Sequence, residues 1–407
     1  MARRVRAAAR IMATAGSEAK DAALKAAATL IEERSATILG ANEDDLSRAV
    51  ADGASETSID RLRLTEGRIA SMAEGLRQVA ALPDPVGEVL GGGVRPNGLR
   101  VTQVRVPLGV VGVIYENRPN VTSDAAALCV KAGNAAFLRG SSAAHASNSA
   151  IASVVREGLA AAGLPEDAVA LVEDTARESA VAFMRLTGII DCLIPRGGPS
   201  LIASIRQNAT VPVVVDGDGN CHVYVDAAAD LDMAAAIVVN AKMQRPGVCN
   251  AAETLLVHRA VARAFLPRVA SDLEGVALVG DARVREILPA AGVATDEDFA
   301  TEFLSLKMSV AVVDDLDGAI DHIARFGSGH SEAIVTNDLH SAERFATEVD
   351  AAAVLVNAST RFIDGAELGL GAEIGISTQK LHARGPMGLR ELTCAKYVVF
   401  GDGQVRT

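Results

Sequence analysis

Cys249 is the residue of this sequence best placed to act as a nucleophile. It follows a Pro-Gly turn within residues 242–250, with Lys242 and Arg245 upstream and an apolar run at residues 254–257 downstream. A thiol attacks as the thiolate, which nearby cations or helix amides stabilise. The stretch could supply both and so indicates covalent catalysis, although an inert structural role is commoner for a lone loop cysteine.

A second polar group follows the apolar run at residues 99–116. The segment Tyr115-Glu-Asn117-Arg-Pro119 would lie at the carboxyl end of a buried strand, where ligands gather in open α/β sheets. Asn117 can donate two hydrogen bonds without carrying charge, as an oxyanion donor must. A turn asparagine that bonds to its own backbone is the alternative, and the sequence alone favours it.

Two glycine-rich junctions, residues 138–142 and 194–200, could receive the phosphates of a nucleotide. Each precedes a predicted helix whose free amides would bind an anion. The second junction is the better candidate because Pro199 suits the first position of a helix. The GxGxxG fingerprint is absent, since residues 217–222 begin it and fail at its last position. Ordinary βα turns are the alternative at both junctions.

The surrounding elements predict an α/β protein. Residues 5–80 carry apolar side chains at helical spacing, and Ser17 and Asn42 are predicted N-caps. Strands and helices then alternate over residues 99–194 and again over residues 254–356, which predicts two α/β domains.

Two further elements are predicted near the ends of these sets. Thr175-x-x-Glu178 predicts a capping box at the start of a short helix. The strand at residues 392–400 has no helix after it and is expected to pair within an oligomer. A long glycine-rich stretch, residues 357–386, carries cations that could face an acidic substrate or be plain surface charges.

Composition excludes several classes of protein. The chain has 407 residues, which predicts two or three domains. A net charge of −12, 3% aromatic residues and no tryptophan argue against nucleic acid as a partner. The five cysteines form no CxxC pair, so neither a disulfide framework nor a metal site is predicted. No apolar run reaches membrane-spanning length, and a cytoplasmic location is expected.

Three long motifs resemble those of the gamma-glutamyl phosphate reductases, a family within the aldehyde dehydrogenase superfamily. They are Arg245-Pro-x-x-Cys249-Asn, the Tyr-Glu-Asn117-Arg-Pro segment, and residues 357–365 with 372–386. The resemblance covers nearly the whole chain. It implies two Rossmann-like α/β domains and a small β oligomerisation flap, and therefore a homo-oligomer.

The resemblance also implies where these parts lie. The NADPH-binding domain is expected at residues 1–220, with an oligomerisation strand pair near 97–108, and the catalytic domain at 221–358. Residues 359–390 would return to the cofactor domain, and residues 391–407 would form an oligomerisation strand.

Roles follow from the same resemblance. Cys249 would be the nucleophile and Asn117 the oxyanion donor. The forked guanidinium of Arg139 would suit the 2′-phosphate of NADPH. The expected cofactor ligands are Arg139, Gly140, Ser141, Arg196, Gly197, Gly198 and Glu302. The candidate substrate ligands, with no choice among them for the phosphate, are Arg118, Arg245, Arg361 and Lys380.

The implied reaction is the NADPH-dependent reduction of L-glutamyl 5-phosphate to L-glutamate 5-semialdehyde in L-proline biosynthesis, with glutamate 5-kinase as a candidate partner. Aldehyde-oxidising relatives carry a water-activating glutamate where residues 215–220 have none, only Asp216 and Asp218 as carboxylates. A thioester that is not hydrolysed suits a reductase. The alternatives are a CoA-acylating aldehyde dehydrogenase and a catalytically silent scaffold that binds a partner.

Overall fold

The computed structural model describes residues 1–215 and 217–406. It divides into two compact units. The first unit comprises Met1–Val215, Gly369–Gly375 and Met387–Thr407, and the second comprises Asp216–Leu368 and Ile376–Pro386. Each unit is built of strands and helices, so the predicted α/β class is confirmed. The chain re-enters the first unit in two separate segments, and the return to a cofactor domain at residues 359–390 stays a prediction.

The first unit opens with helices that bury one apolar face each. On the second of them, Leu24, Ala28 and Ile31 recur at helical spacing and are almost completely buried. Among the described residues, no helix is both long and apolar enough to cross a membrane. The helices are α1 (Ala2–Met12), α2 (Ser17–Glu33), α3 (Ser35–Ala51), α4 (Glu56–Leu62) and α5 (Glu66–Ala81).

Three predicted helix caps are wrong. Ser17 lies inside α2 and donates a hydrogen bond to Asp84 instead of capping. Asn42 is buried within α3, where its amide bonds to Leu62 and Ser147. The helix expected to begin with a capping box at Thr175 has no side-chain cap, and its first residue is Arg177. Local spacing did not reveal these tertiary partners.

A parallel sheet follows in the order β5-β4-β3-β6. Its central strand is buried along its whole length, as expected of a strand covered on both faces. The elements are β1 (Val89–Val94), β2 (Arg100–Pro107), β3 (Val110–Tyr115), α6 (Asn120–Lys131), β4 (Ala135–Arg139), α7 (His145–Ala161), β5 (Val169–Leu171), α8 (Arg177–Met184), β6 (Cys192–Arg196) and α9 (Pro199–Asn208). Tyr115 pairs with Arg196 and Ile114 with Arg139, so three predicted functional segments leave the sheet at one edge.

The second unit contains a parallel sheet in the order β10-β9-β11-β8-β7-β12-β13. Its strand β7 was not predicted, and it begins at Cys221, within residues 217–222 that resemble the start of a GxGxxG fingerprint. The elements are β7 (Cys221–Val225), α10 (Leu231–Met243), β8 (Ala252–His258), α11 (Arg259–Asp272), β9 (Ala277–Gly280), α12 (Ala282–Ile287), β10 (Gly292–Val293), α13 (Asp296–Phe299), β11 (Lys307–Val313), α14 (Leu316–Phe326), β12 (Ser331–Val335), α15 (Leu339–Glu348), β13 (Ala353–Val356), β14 (Ile376–Ser377) and β15 (Gly385–Pro386). Short 3₁₀ turns lie at Ser142–Ala144, Glu166–Ala168 and Thr360–Phe362.

The last strand, β16 (Thr393–Phe400), belongs to a small antiparallel sheet of the first unit. It pairs with β2 over its whole length, from Thr393 opposite Pro107 to Phe400 opposite Arg100. This strand was expected to pair within an oligomer. The observed partner lies in the same chain, with β1 on the other side of β2.

Candidate active site

Cys249 lies in the loop between α10 and β8 and is half-buried. Three other cysteines are buried, and burial raises the pKa of each of their thiols, that of Cys192 to about 12. Cys394 is exposed on β16. Buried thiols of raised pKa are poor nucleophiles. Cys249 therefore remains the cysteine best placed for covalent chemistry.

The turn before β7 packs directly against the backbone of Cys249. A Cβ atom on Gly219 would collide with the Cys249 carbonyl oxygen, so only glycine fits there. That same carbonyl accepts a hydrogen bond from the Cys221 thiol at 3.2 Å. Gly219 and Cys221 therefore both contact the backbone carbonyl of Cys249.

Glu302, the predicted ligand of the nicotinamide ribose, lies close to this turn. Its carboxylate accepts a hydrogen bond from the Gly219 amide at 2.9 Å. Asp218 is exposed in the same turn, and Asp216 lies outside the described residues. Glu302 thus carries a carboxylate to the segment that contacts Cys249, even though residues 215–220 contain no glutamate.

Lys242, which the sequence analysis placed among the cations near the thiol, is paired with Glu253. The two side chains are completely buried, and Nζ lies 2.5 Å from Oε2. Burial lowers the pKa of Lys242 and raises that of Glu253, and the opposite charge of each partner opposes the change. The other oxygen of Glu253 accepts a hydrogen bond from Leu304 N at 3.1 Å.

Arg361 is the candidate substrate ligand most closely tied to the nucleophile loop. Its guanidinium donates to Asn250 Oδ1 and, at 2.9 Å, to Gln244 Oε1. Burial lowers the pKa of Arg361, the positive charge of Arg245 lowers it further, and the Cys249 thiolate would raise it. Through Asn250 and Gln244, Arg361 is bonded to residues on both sides of Cys249 in the chain.

The other candidate substrate ligands lie elsewhere. Lys380 is exposed in the second unit and forms an ion pair with Asp350 at 2.6 Å. Asp350 also pairs with Arg384 at 2.8 Å. Arg118 is half-buried in the first unit, in the turn before α6.

Asn117 occupies a strained turn at the end of β3, with a φ of 30°. Its Oδ1 accepts a hydrogen bond from the Ser141 hydroxyl at 2.9 Å, and its Nδ2 donates to the Ser58 hydroxyl at 3.0 Å. A non-glycine residue held at positive φ is a feature of functional turns. Ser141, predicted as a cofactor ligand, is therefore a contact of Asn117.

The second glycine junction presents a helix N-terminus that already contacts an anion. Glu116 accepts a hydrogen bond from the Gly198 amide at 2.9 Å, at the start of α9. The Glu116 side chain also packs on Gly197, because a Cβ atom added to Gly197 would lie 2.7 Å from the Glu116 carboxylate oxygen. Arg196 ends β6 beside this turn. The expected free amide at Gly198 is thus occupied by a carboxylate.

The first junction differs from the prediction as well. The amides of Ala146 and Ser147, in the first turn of α7, bond to the buried carboxylate of Asp45. The expectation of free amides at this helix is therefore wrong for those residues. Gly140 is needed for packing, because a side chain there would collide with the Asn148 amide.

Arg139 stands at the end of β4, where the cofactor was expected. Its guanidinium donates to the carbonyls of Thr175 and Ala176 at 2.7 and 3.0 Å. Within the described residues its buried Nε has no hydrogen-bond partner. Burial lowers the pKa of this side chain, and the charge of Asp174 opposes that change.

Sequence reasoning missed Glu116 and Glu253. Both carried a signal: Glu116 is part of the motif that contains Asn117, and Glu253 is an acid in an otherwise apolar strand, where a buried charge needs a partner. Asp45 and Ser58 are distant in sequence from the groups they contact, and nothing local pointed to them. Among the described residues, no cluster of acids, histidines or cysteines could hold a metal ion.

Comparison with known proteins identifies the family. The aldehyde dehydrogenase family model matches residues 1–297. Gamma-glutamyl phosphate reductase from Carboxydothermus hydrogenoformans is 57% identical over 100% of this chain and 98% of its own. The protein of that name from Moorella thermoacetica is 57% identical over 99% of this chain and 97% of its own.

Solved structures agree with this assignment. The crystal structure of gamma-glutamyl phosphate reductase from Thermotoga maritima has a TM-score of 0.98 and 48% identity, covering 100% of this chain and 99% of that chain. An acetylating aldehyde dehydrogenase from Geobacillus thermoglucosidasius shares the fold, with a TM-score of 0.71 at 18% identity over 100% of this chain and 96% of that one. The resemblance inferred from the motifs is confirmed. The chain belongs to the aldehyde dehydrogenase family and, within it, to the gamma-glutamyl phosphate reductases.

Proposed function

We propose that this protein reduces L-glutamyl 5-phosphate to L-glutamate 5-semialdehyde, with release of phosphate, as a step of L-proline biosynthesis. The observation that carries the proposal is the 57% identity over the whole chain to reductases of that name. The half-buried Cys249, among cysteines that are otherwise buried or on the outer strand β16, supports covalent catalysis.

The first step proposed is attack of the Cys249 thiolate on the acyl carbonyl carbon. A carbon–sulfur bond forms and the bond to the phosphate oxygen breaks, so phosphate leaves and a thioester remains. The Asn117 side chain and the Cys249 backbone amide are the proposed donors to the oxyanion. The Ser141 hydroxyl donates to Oδ1 of Asn117, and this fixes the orientation of the amide that presents Nδ2 as a donor.

Arg361 and Arg245 are the proposed ligands of the departing phosphate. Arg361 is held beside the cysteine by Asn250 and Gln244. A guanidinium stays charged at any physiological pH and matches the geometry of a phosphate. The exposed ion pair of Lys380 with Asp350 disfavours a role for Lys380.

Membership of the family indicates a nicotinamide cofactor, and NADPH is the form proposed. The residues fit such a group: Arg139 has a buried donor without a partner among the described residues, and the α9 N-terminus suits a phosphate that would displace the Glu116 carboxylate from it. When bound, NADPH supplies the hydride that reduces the thioester. Gly197 and Gly198 would contact its phosphates, Arg139 its 2′-phosphate, and Glu302 its nicotinamide ribose.

A homo-oligomer, a cytoplasmic location and an encounter with glutamate 5-kinase complete the proposal. The acyl phosphate is labile, which favours delivery by the enzyme that makes it.

The test is a steady-state assay in the oxidising direction, with L-glutamate 5-semialdehyde and NADP. Activity that requires phosphate is expected, and activity with CoA in place of phosphate would favour a CoA-acylating enzyme. NAD in place of NADP tests the cofactor. Cys249→Ala should abolish turnover and retain NADPH binding, whereas the matched control Cys394→Ala should be fully active. An active Cys249→Ala enzyme, or none of these activities in the wild type, would contradict the proposal.

A further inference from the structure

The buried pair Lys242–Glu253 closes the base of the loop that carries the nucleophile. Lys242 lies in the last turn of α10, and Glu253 lies near the start of β8. The segment between them, residues 243–252, contains Cys249. Because Nζ and Oε2 are 2.5 Å apart, the pair joins the two ends of this segment.

Stability alone does not account for such a pair. Both side chains are completely buried, so each charge has lost its hydration. Replacing a buried ion pair by apolar side chains of similar volume is often neutral or stabilising. A pair that is retained at this cost calls for another role.

The second oxygen of Glu253 reaches a strained part of the chain. It accepts the hydrogen bond from Leu304 N, and Leu304 has a φ of 52°, in the left-handed region that L-residues disfavour. Glu302, two residues earlier, bonds to the Gly219 amide. Gly219 in turn lies against the carbonyl of Cys249. One carboxylate therefore connects the nucleophile loop to the segment of Glu302.

We propose that the Lys242–Glu253 pair is a positioning device, which fixes the Cys249 loop at its base and sets the Leu304 turn that presents Glu302. The inference rests on the proposed function for the roles of Cys249 and Glu302. Neither Lys242 nor Glu253 is assigned contact with the substrate.

Two double variants distinguish the effect of the Lys242–Glu253 ion pair from that of the hydrogen bond between Leu304 N and Glu253. Lys242→Met with Glu253→Met removes both charges and leaves apolar side chains in their place. Lys242→Met with Glu253→Gln also removes both charges, but the glutamine oxygen can still accept from Leu304 N. The comparison therefore isolates the hydrogen bond to Leu304.

The first measurement is activity in the phosphate-dependent assay. The double Met variant should fold, as judged by circular dichroism, and should lose about tenfold or more in kcat, since small misplacements of reacting groups cost that much. Its KM for NADP should rise as Glu302 shifts. The Met/Gln variant should recover most of the KM and part of the kcat.

The second measurement is the rate at which the Cys249 thiol is alkylated. Iodoacetamide is applied to each variant, and mass spectrometry follows alkylation at Cys249, with the exposed Cys394 as the reference in the same sample. A change of about threefold or more in the ratio of the two rates is expected in the double Met variant, because its loop is no longer held. Should that variant fail to fold, the Met/Gln variant, which also lacks the ion pair, still shows whether the alkylation ratio depends on that pair.

Wild-type kcat, KM and alkylation ratio in a folded double Met variant would overturn the proposal. The alkylation ratio needs no substrate. An altered ratio in a protein without glutamyl phosphate reductase activity would therefore uphold the positioning role and contradict only the proposed function.

Discussion

Arg361 contacts the residues on both sides of Cys249, the proposed nucleophile. Its guanidinium holds Asn250, the residue after Cys249, and Gln244 at the start of the same loop. Arg361→Ala is expected to raise the KM for phosphate about tenfold or more in the oxidising direction, because a charge-assisted contact to phosphate is lost. Phosphate titrations of the steady-state rate measure this.

The control for this prediction is Lys380→Ala. Lys380 pairs with Asp350, and both side chains are exposed, so the pair contributes little. Its loss should leave the phosphate KM within about twofold of the wild type. Equal effects of the two substitutions would contradict the assignment of Arg361.

Ser141 is expected to act through Asn117 and not through the cofactor. Its hydroxyl fixes Oδ1 of Asn117, which orients Nδ2. Ser141→Ala should lower kcat about tenfold, in line with a weakened oxyanion donor, and leave the Kd for NADPH unchanged. Rapid kinetics and fluorescence titration of NADPH separate the two quantities.

The neighbouring, exposed Ser142 provides a matched control, since Ser142→Ala should change neither quantity. If Ser141→Ala instead weakened NADPH binding with kcat preserved, the original prediction of Ser141 as a cofactor ligand would hold.

Among the elements, helix α9 makes the clearest prediction. The carboxylate of Glu116 on the Gly198 amide competes with any phosphate for the positive end of this helix. Glu116→Gln removes that charge and is expected to tighten NADPH binding by about three- to tenfold, as about 1 kcal/mol of helix-end electrostatics implies. Isothermal titration calorimetry measures the Kd.

Glu178→Gln is the control, because Glu178 is an exposed acid in the first turn of another helix of the same unit, α8. It should leave the NADPH Kd unchanged. Unchanged or weaker binding in Glu116→Gln would show that the cofactor phosphates do not use the α9 N-terminus.

Elements were predictable where the pattern was local. The alternation predicted over residues 254–356 includes helix α14 at Leu316–Phe326. Strand β7 was not predicted because it is short and directly follows Gly217 and Gly219, which are typical of a turn. The proposed nucleophile, Cys249, also departs from the rule that ligands gather at carboxyl ends of strands. Cys249 lies just before the amino end of strand β8, and Gly219 lies just before the amino end of strand β7.

The parts of the site that could not be predicted depend on tertiary contacts. Asn117 and Cys249 were recognisable from their own motifs. Asp45, in contrast, reaches the first turn of α7 from helix α3, and Ser58 reaches Asn117 from helix α4. No local spacing encodes such pairs, since they depend on how the helices of the first unit pack.

At the scale of the whole molecule, Asp124 is expected to make stability depend on pH. Burial raises the pKa of this carboxyl to about 6, opposed by hydrogen bonds from Asn120 and Ser123 and by the charge of Arg196. A raised pKa means that the folded state prefers the protonated form. Stability should therefore fall as the pH rises from the unfolded value near 4 to about 6, and stay reduced above that.

Asp124→Asn removes the ionisation. It should stabilise the protein by about 2–3 kcal/mol above pH 6, because the pKa is raised by about two units and each unit is worth about 1.4 kcal/mol, with little effect near pH 4. Urea unfolding at both pH values measures this. The exposed Asp44→Asn serves as the control, and equal gains at both pH values would contradict the prediction.

The pairing of β16 with β2 has a consequence for the order in which the chain folds. Every residue of the second unit precedes β16 in the sequence, whereas the first unit needs residues 393–400 to complete its small sheet. During synthesis from the N-terminus, the second unit can close while the edge of β2 still lacks its neighbour. An early-made strand with an open edge is an aggregation hazard. The completion of this sheet by β16 is therefore the step of folding at which we expect this protein to depend most on chaperones.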